Sequence, residues 1–113
     1  MKEIKAIIQP FVLERVLDAL NELDGLPGVT ISEVLGWGRL PERRQKHDVI
    51  HAGHGLSKKS KLEIVVDDAR ADAVLQAIRK AAHTGNAGDG KIFVYEVAQI
   101  VRIRTGEQGA DAI

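Results

Sequence analysis

The sequence predicts an α+β domain of ferredoxin-like β-α-β-β-α-β order. Three observations predict it: four runs rich in β-branched residues, two stretches of helical apolar spacing, and a helix only after the first and third of those runs. Lys2 to Gln9 alternates charged and apolar residues and is rich in isoleucine, which suits a strand with one buried face, and Pro10 ends it. From Phe11 to Leu23, Leu13, Val16, Leu17, Leu20 and Leu23 recur at helical spacing, with Glu14, Arg15, Asp18 and Glu22 on the opposite side. The run "DGLPG" stops this helix. Val29 to Gly38, "VTISEVLGWG", is strand-like again and closes on two glycines around Trp37. The polar segment between Arg39 and Lys61 has no sustained period and exceeds the usual length of a connection, which marks it as a functional or mobile loop between the second and third strands. Leu62 to Val66 is a short apolar strand. Asp67 or Asp68 then caps a second helix that turns Ala71, Val74, Leu75, Ile78 and Ala82 inward. A glycine-rich loop from Thr84 leads into a fourth strand, Ile92 to Val97.

At 113 residues the chain fits a single domain, residues 1–113. Sixteen basic and sixteen acidic residues cancel, so no global field gathers nucleic acid or anionic membrane, and any anion site must be local. An aromatic content of 4% leaves no stacking platform for single-stranded nucleic acid. The absence of cysteine removes disulfides, thiolate metal sites and thiol nucleophiles. Gln9 and Pro10 interrupt the apolar start where a signal peptide would continue, and no apolar stretch approaches the length of a membrane span. The expectation is a soluble, cytoplasmic protein without direct membrane insertion.

The stretch "TGNAGDGKIFVYEV" carries the first chemical signal. A helix ends at these glycines rather than starting from them, so the loop is neither a P-loop nor a dinucleotide fingerprint. Gly85, Gly88 and Gly90 can still let backbone N–H groups form a concave nest for an anion, with Lys91 adding a full charge. The same residues also read as a plain turn before a strand. Further on, Arg102 and Arg104 are two apart, so in an extended chain both guanidinium groups point to one side. A guanidinium fork suits phosphate oxygens, and each charge-assisted bond is worth roughly 1.5–3 kcal/mol. A solvated basic edge is the alternative. Arg39, Lys59 and Lys91 enlarge the set of candidate cations, but spacing alone does not make them converge. Nothing supplies a nucleophile with a base, since His83 at the end of the second helix has no evident partner, and no enzyme is expected.

Taken together, "TGNAGDGKIFVYEVAQIVRIRTGEQGADAI" resembles the carboxyl-terminal third of the PII signal-transduction (nitrogen-regulatory) proteins, and "MKEIKAIIQPF" with "GVTISEVLGWGR" resembles their opening strands. The resemblance spans essentially the whole chain. It implies a homotrimer of ferredoxin-like subunits that binds ATP or ADP in the clefts between neighbours. By this resemblance Gly85, Gly88, Asp89, Gly90 and Lys91, in the loop at about 84–91, surround the phosphates, and Arg102 and Arg104 reach across from the adjoining subunit. Thr30, Glu63 and Val65 fall where the family contacts adenine and ribose, and Gly36, Gly38 and Arg39 sit at the root of the long loop beside the phosphates. The segment at about 39–59 matches the T-loop, the mobile arm through which such proteins dock onto protein partners, here a membrane transporter by family analogy. Any membrane association would then run through that transporter.

This chain also departs from the family pattern. Leu40 stands where the family usually has a glutamine that helps hold magnesium while ATP and 2-oxoglutarate bind together, and leucine has no oxygen for a hard cation. Lys59 still occupies the position that meets the 2-oxoglutarate carboxylate. Ala52 replaces the tyrosine that some bacterial members use for uridylylation, and Asn86 replaces a basic residue frequent in the glycine loop. His47, His51 and His54 fall within eight residues, with Asp48 among them, and imidazoles in one flexible segment can close on zinc, copper or nickel. The alternative reading is therefore a metal-responsive PII-like adaptor linked to heavy-metal transport, against a polar docking loop whose histidines face water. From Leu40 we predict weak or absent 2-oxoglutarate binding in the presence of magnesium and ATP. Calorimetry checks this, and a micromolar affinity would refute it.

Overall fold

The computed structural model describes residues 1–38 and 55–113, together with the backbone of 49–51. Its elements follow one another as β1 (Lys2–Ile8), α1 (Leu13–Asn21), β2 (Thr30–Trp37), β3 (Val49–His51), β4 (Leu56–Val66), α2 (Asp68–Ala82) and β5 (Gly90–Glu96). Short 3-10 turns at Pro10–Val12 and Gly109–Ala112 complete the chain. Every strand pairing is antiparallel. The sheet runs β2-β4-β1-β5, with β3 beside the first residues of β4. This is the ferredoxin-like arrangement that the element order predicts.

Alternation along the strands builds the core. Ile4, Ala6 and Ile8 of β1 lie opposite Ile64, Leu62 and Ser60 of β4, and all six are buried. Both helices pack on this face of the sheet, α1 through Val16 and Leu20 and α2 through Val74, Ile78 and Ala82. Leu75, which shares their spacing, is only half-buried at the margin. The N-cap of α2 is Asp67, whose carboxylate accepts a 3.0 Å hydrogen bond from the Arg70 amide. At the other end, Arg15 Nε of α1 donates to the Ala81 carbonyl at 2.7 Å, which satisfies one of the acceptors that a helix terminus leaves unpaired.

Among the described residues, no helix packs on the opposite face of the sheet. Register places Lys5 there, opposite Glu63 on one side and Phe93 on the other. The Lys5 ammonium sits 5.3 Å and 4.8 Å from the ring centres of Phe93 and Tyr95, within cation–π range. No helix among the described residues is long and apolar enough to cross a membrane.

Two boundaries differ from the sequence expectation. β4 starts at Leu56, six residues before the apolar run at Leu62, so the segment expected as loop to about residue 59 is shorter. The physical reason is that Ser57 and Ser60 occupy buried positions in this half of the strand, which is held by backbone pairing to β2 and β1 rather than by apolar burial. β5 likewise starts at Gly90. Its backbone has φ 107°, and a Cβ there would lie 1.8 Å from the Ile7 carbonyl oxygen, so only glycine fits. We predict that Ile64→Ala, at a position only 1% exposed, destabilises the fold by about 2–5 kcal/mol. Thermal unfolding at matched protein concentration checks this.

Candidate functional site: a cleft at the root of the arm

Residues far apart in sequence converge at one end of the sheet. β1 lies between β4 and β5, with Ile7 opposite both Lys61 and Lys91 and Ile8 opposite both Ser60 and Gly90. β2 joins on the far side of β4, where Gly36 faces Ser57 and Val34 faces Lys59. The root of the arm and the glycine loop therefore share a cleft of about 530 Å³, lined by Gly36, Gly38, Lys59, Gly88, Gly90 and Lys91. Trp37 and Phe93 add aromatic walls to it. A Cβ on Gly36 would stand 3.3 Å from Lys59 Cγ, so the bare backbone leaves room for the lysine stem.

The glycine loop is organised from inside by Asp89. Its carboxylate accepts from the Thr84 amide at 2.8 Å, from the Gly85 amide at 3.0 Å and from the Thr84 hydroxyl. Asn86 donates its amide to Thr84 Oγ1 at 3.2 Å. Gln9 Nε2 donates to the Gly88 carbonyl at 2.9 Å, which ties the loop to the end of β1. Gly85, Gly88 and Gly90 all have positive φ, so the chain can turn tightly around the carboxylate. Burial pushes the Asp89 carboxyl up, but the Thr84 hydroxyl, the amides of Thr84 and Gly85 and the nearby His83 together hold it below the usual aspartate value. The expected nest of three glycine amides is therefore narrower, because the Gly85 amide already serves Asp89. Neither Gly85 nor Asp89 lines the cleft, whereas Gly88, Gly90 and Lys91 do.

Thr30, Glu63 and Val65 line a second cleft of about 350 Å³, beside Gly28 and Ile113. Thr30 pairs with Glu63, and Gly36 pairs with Ser57, six residues further along the same two strands. Thr30 and Gly36 are thus about 20 Å apart along β2. One chain does not bring these three residues to the glycine loop.

The expectation for Arg102 and Arg104 needs correction. The segment doubles back instead of extending, with the Gly106 amide donating to the Arg102 carbonyl at 2.7 Å, the Arg102 amide to the Glu107 carbonyl at 2.8 Å and a bridge between Val101 and Gln108. The two-residue alternation that would put both guanidinium groups on one side does not apply in a turn. Arg102 instead reaches Glu107 at 2.9 Å and the carbonyls of Asp111 and Ile113 at 3.2 and 3.3 Å. Arg104 is exposed within the turn, next to Ile103, which is 99% exposed. His83 also gains a partner that linear order hid, its Nδ1 standing 3.8 Å from Asp89 Oδ2.

Arg39, Leu40, His47, Asp48, Ala52 and His54 lie outside the described residues, as does the side chain of His51. Among the residues the linear reading passed over, Gln9 is 2% exposed. A polar side chain directly after the apolar alternation of β1 is the signal that could have found it. Trp37, noted only as flanked by glycines, is a wall of the cleft.

The fold and the cleft define a small α+β protein with a candidate anion site, and comparison with known proteins gives the class a family. The family model described as "Nitrogen regulatory protein P-II" matches residues 1–107. The nitrogen regulatory protein P-II of Rhizobium meliloti is 48% identical over 117 residues, and that of Rhodospirillum rubrum is 45% identical over the same length, each alignment covering all of both chains. The crystal structure of Arabidopsis thaliana PII bound to citrate superposes with a TM-score of 0.80 at 35% identity, covering 99% of this chain and 91% of that one. The chain belongs to the P-II nitrogen regulatory protein family, a family of regulatory signalling proteins rather than enzymes.

The folded Asp89 carboxyl titrates below its unfolded value, so its contribution to stability is complete above the ordinary aspartate value of about 3.9 and is lost as pH falls through the lower folded value. We predict that Asp89→Asn lowers stability by about 1–3 kcal/mol near neutral pH, and that the gap to the parent protein closes below about pH 4. Urea unfolding across the acid range checks both.

Proposed function

We propose that the protein is a non-catalytic sensor that binds ATP or ADP at the glycine loop and regulates a protein partner through the arm between β2 and β4. The observation that carries this reading is the shared cleft, in which Lys59 from the arm side and Lys91 from the loop side stand with the bare backbone of Gly36, Gly38, Gly88 and Gly90. Polyphosphate needs close backbone approach and positive charge, and this cleft offers both. Gly85 and Asp89 act by shaping the loop. The citrate held by the Arabidopsis relative supports an affinity for multiply charged anions in this family.

The adenosine end is assigned to Thr30, Glu63 and Val65 of a neighbouring subunit, with Arg102 and Arg104 of that subunit reaching the phosphates. Two features support a homotrimer with sites between subunits. Thr30, Glu63 and Val65 line a cleft separate from that of the glycine loop, and a second copy would bring the two halves of a site together. The helix-free sheet face also leaves Phe93 and Tyr95 37% and 43% exposed, which a neighbouring copy would cover. For Arg102, joining the site means leaving or sharing its contact with Glu107.

By family resemblance Arg39 is assigned to the phosphates, and a bound ligand shifts the balance of arm states only as far as it binds them differently. On family resemblance we take the partner to be a membrane transporter and the protein itself to be cytoplasmic. Calorimetry tests the core of the reading. ATP and ADP bind the oligomer, and Lys91→Ala and Arg104→Ala each weaken binding at least about tenfold, one charge-assisted contact apiece. A monomer in sedimentation, or a trimer indifferent to adenine nucleotides, refutes it.

A further inference from the structure

His83 is the residue after α2 and closes that helix with an extended backbone, φ −70° and ψ 126°. Its side chain is 72% exposed, with Nδ1 3.8 Å from the Asp89 carboxylate. Its Nε2 lies 3.9 Å from where a Cβ on Gly85 would stand. The imidazole therefore leans over the loop that we assign to phosphate, against the one carboxylate that holds the loop in shape.

We propose that His83 is a proton-dependent affinity determinant of this site, whose imidazolium form strengthens binding of a nucleoside di- or triphosphate at the glycine loop. The inference rests on the nucleotide reading above and names a control on it. Asp89 is a fixed negative charge inside a loop that must accept a polyanion, and this charge opposes the ligand. An imidazolium 3.8 Å away makes the pair neutral and presents a cation toward the loop.

The other charged groups of the surrounding elements include arginines, lysines and Asp89. Arg15 of α1 holds the Ala81 carbonyl. Arg79 and Lys80 occupy the last turn of α2, and Lys91 follows the loop in β5. Lysine and arginine titrate far above neutrality, and Asp89 is held below the usual aspartate value. Among the described residues around the loop, His83 is the group whose type changes charge between about pH 6 and pH 8.

The test is ADP and ATP binding by calorimetry at about pH 8 and about pH 6, for the parent protein and for His83→Gln. The nucleotide's own phosphate titration and the arm histidines are common to both proteins, so the difference between the two profiles isolates His83. We expect equal affinities at the higher pH, and a gain on acidification about threefold larger in the parent than in the variant. His83→Lys should bind tightly at both pH values. By reciprocity, saturation with ADP should shift the His83 imidazole titration, followed by NMR, to higher pH. Parallel profiles for parent and His83→Gln, with binding intact at the higher pH, overturn this inference and leave the nucleotide reading standing. Absence of binding by the parent at both pH values overturns the nucleotide reading itself.

Discussion

The double pairing of β1 is the constraint on which the site depends. Ile8 is opposite Ser60 on one side and Gly90 on the other, so a single residue sets the height of the arm root and of the glycine loop relative to each other. A slip of β1 by one residue against β4 would also turn Ile4, Ala6 and Ile8 away from the buried face of Leu62 and Ile64. Core burial therefore locks the same register that brings Lys59 and Lys91 to one cleft. At the junction, the Ile7 carbonyl approaches Gly90 so closely that no side chain fits. Fold stability and cleft geometry thus rest on one set of backbone contacts.

Within that frame the glycine loop is shaped by charge as well as by conformational freedom. Asp89 draws the Thr84 hydroxyl and the amides of Thr84 and Gly85 inward, and Gln9 anchors the Gly88 carbonyl from β1. On the proposed reading, the cost of this organisation is a carboxylate close to the bound anion. Lys91 offsets it permanently, whereas His83 would offset it only when protonated. On the proposed reading, an electrically neutral chain holds a local preference for anions in this way.

The helix-free sheet face and the separation of the two clefts point in one direction. A sheet covered on one side only, with a lysine between two aromatic rings on the other, leaves apolar surface that assembly can cover. Thr30 and Glu63 line a cleft separate from the one that holds Gly88, Gly90 and Lys91. Self-association would solve both problems together, since the surface that needs a cover carries the groups that need a partner.

Much of this was legible in linear order. Residue periodicity identified both helices and the four main strands, because burial on one face repeats every second or every three to four residues. The motif content identified the family, and six of the expected site residues do meet in one cleft. The early start of β4 was not legible, because serines fill its buried positions and backbone pairing carries no side-chain pattern. The turn at Arg102 was hidden for a similar reason, since it is held by contacts to Glu107 and to the last residues of the chain. The approach of His83 to Asp89 was hidden because the loop must fold back on itself before the two side chains meet. The sequence by itself determined which residue types could serve an anion and which faces would be buried, because both are properties of side chains and their spacing. Only the tertiary structure decided which of those residues share a cleft and which stay apart, because strand register and chain reversal set distances that no local pattern encodes.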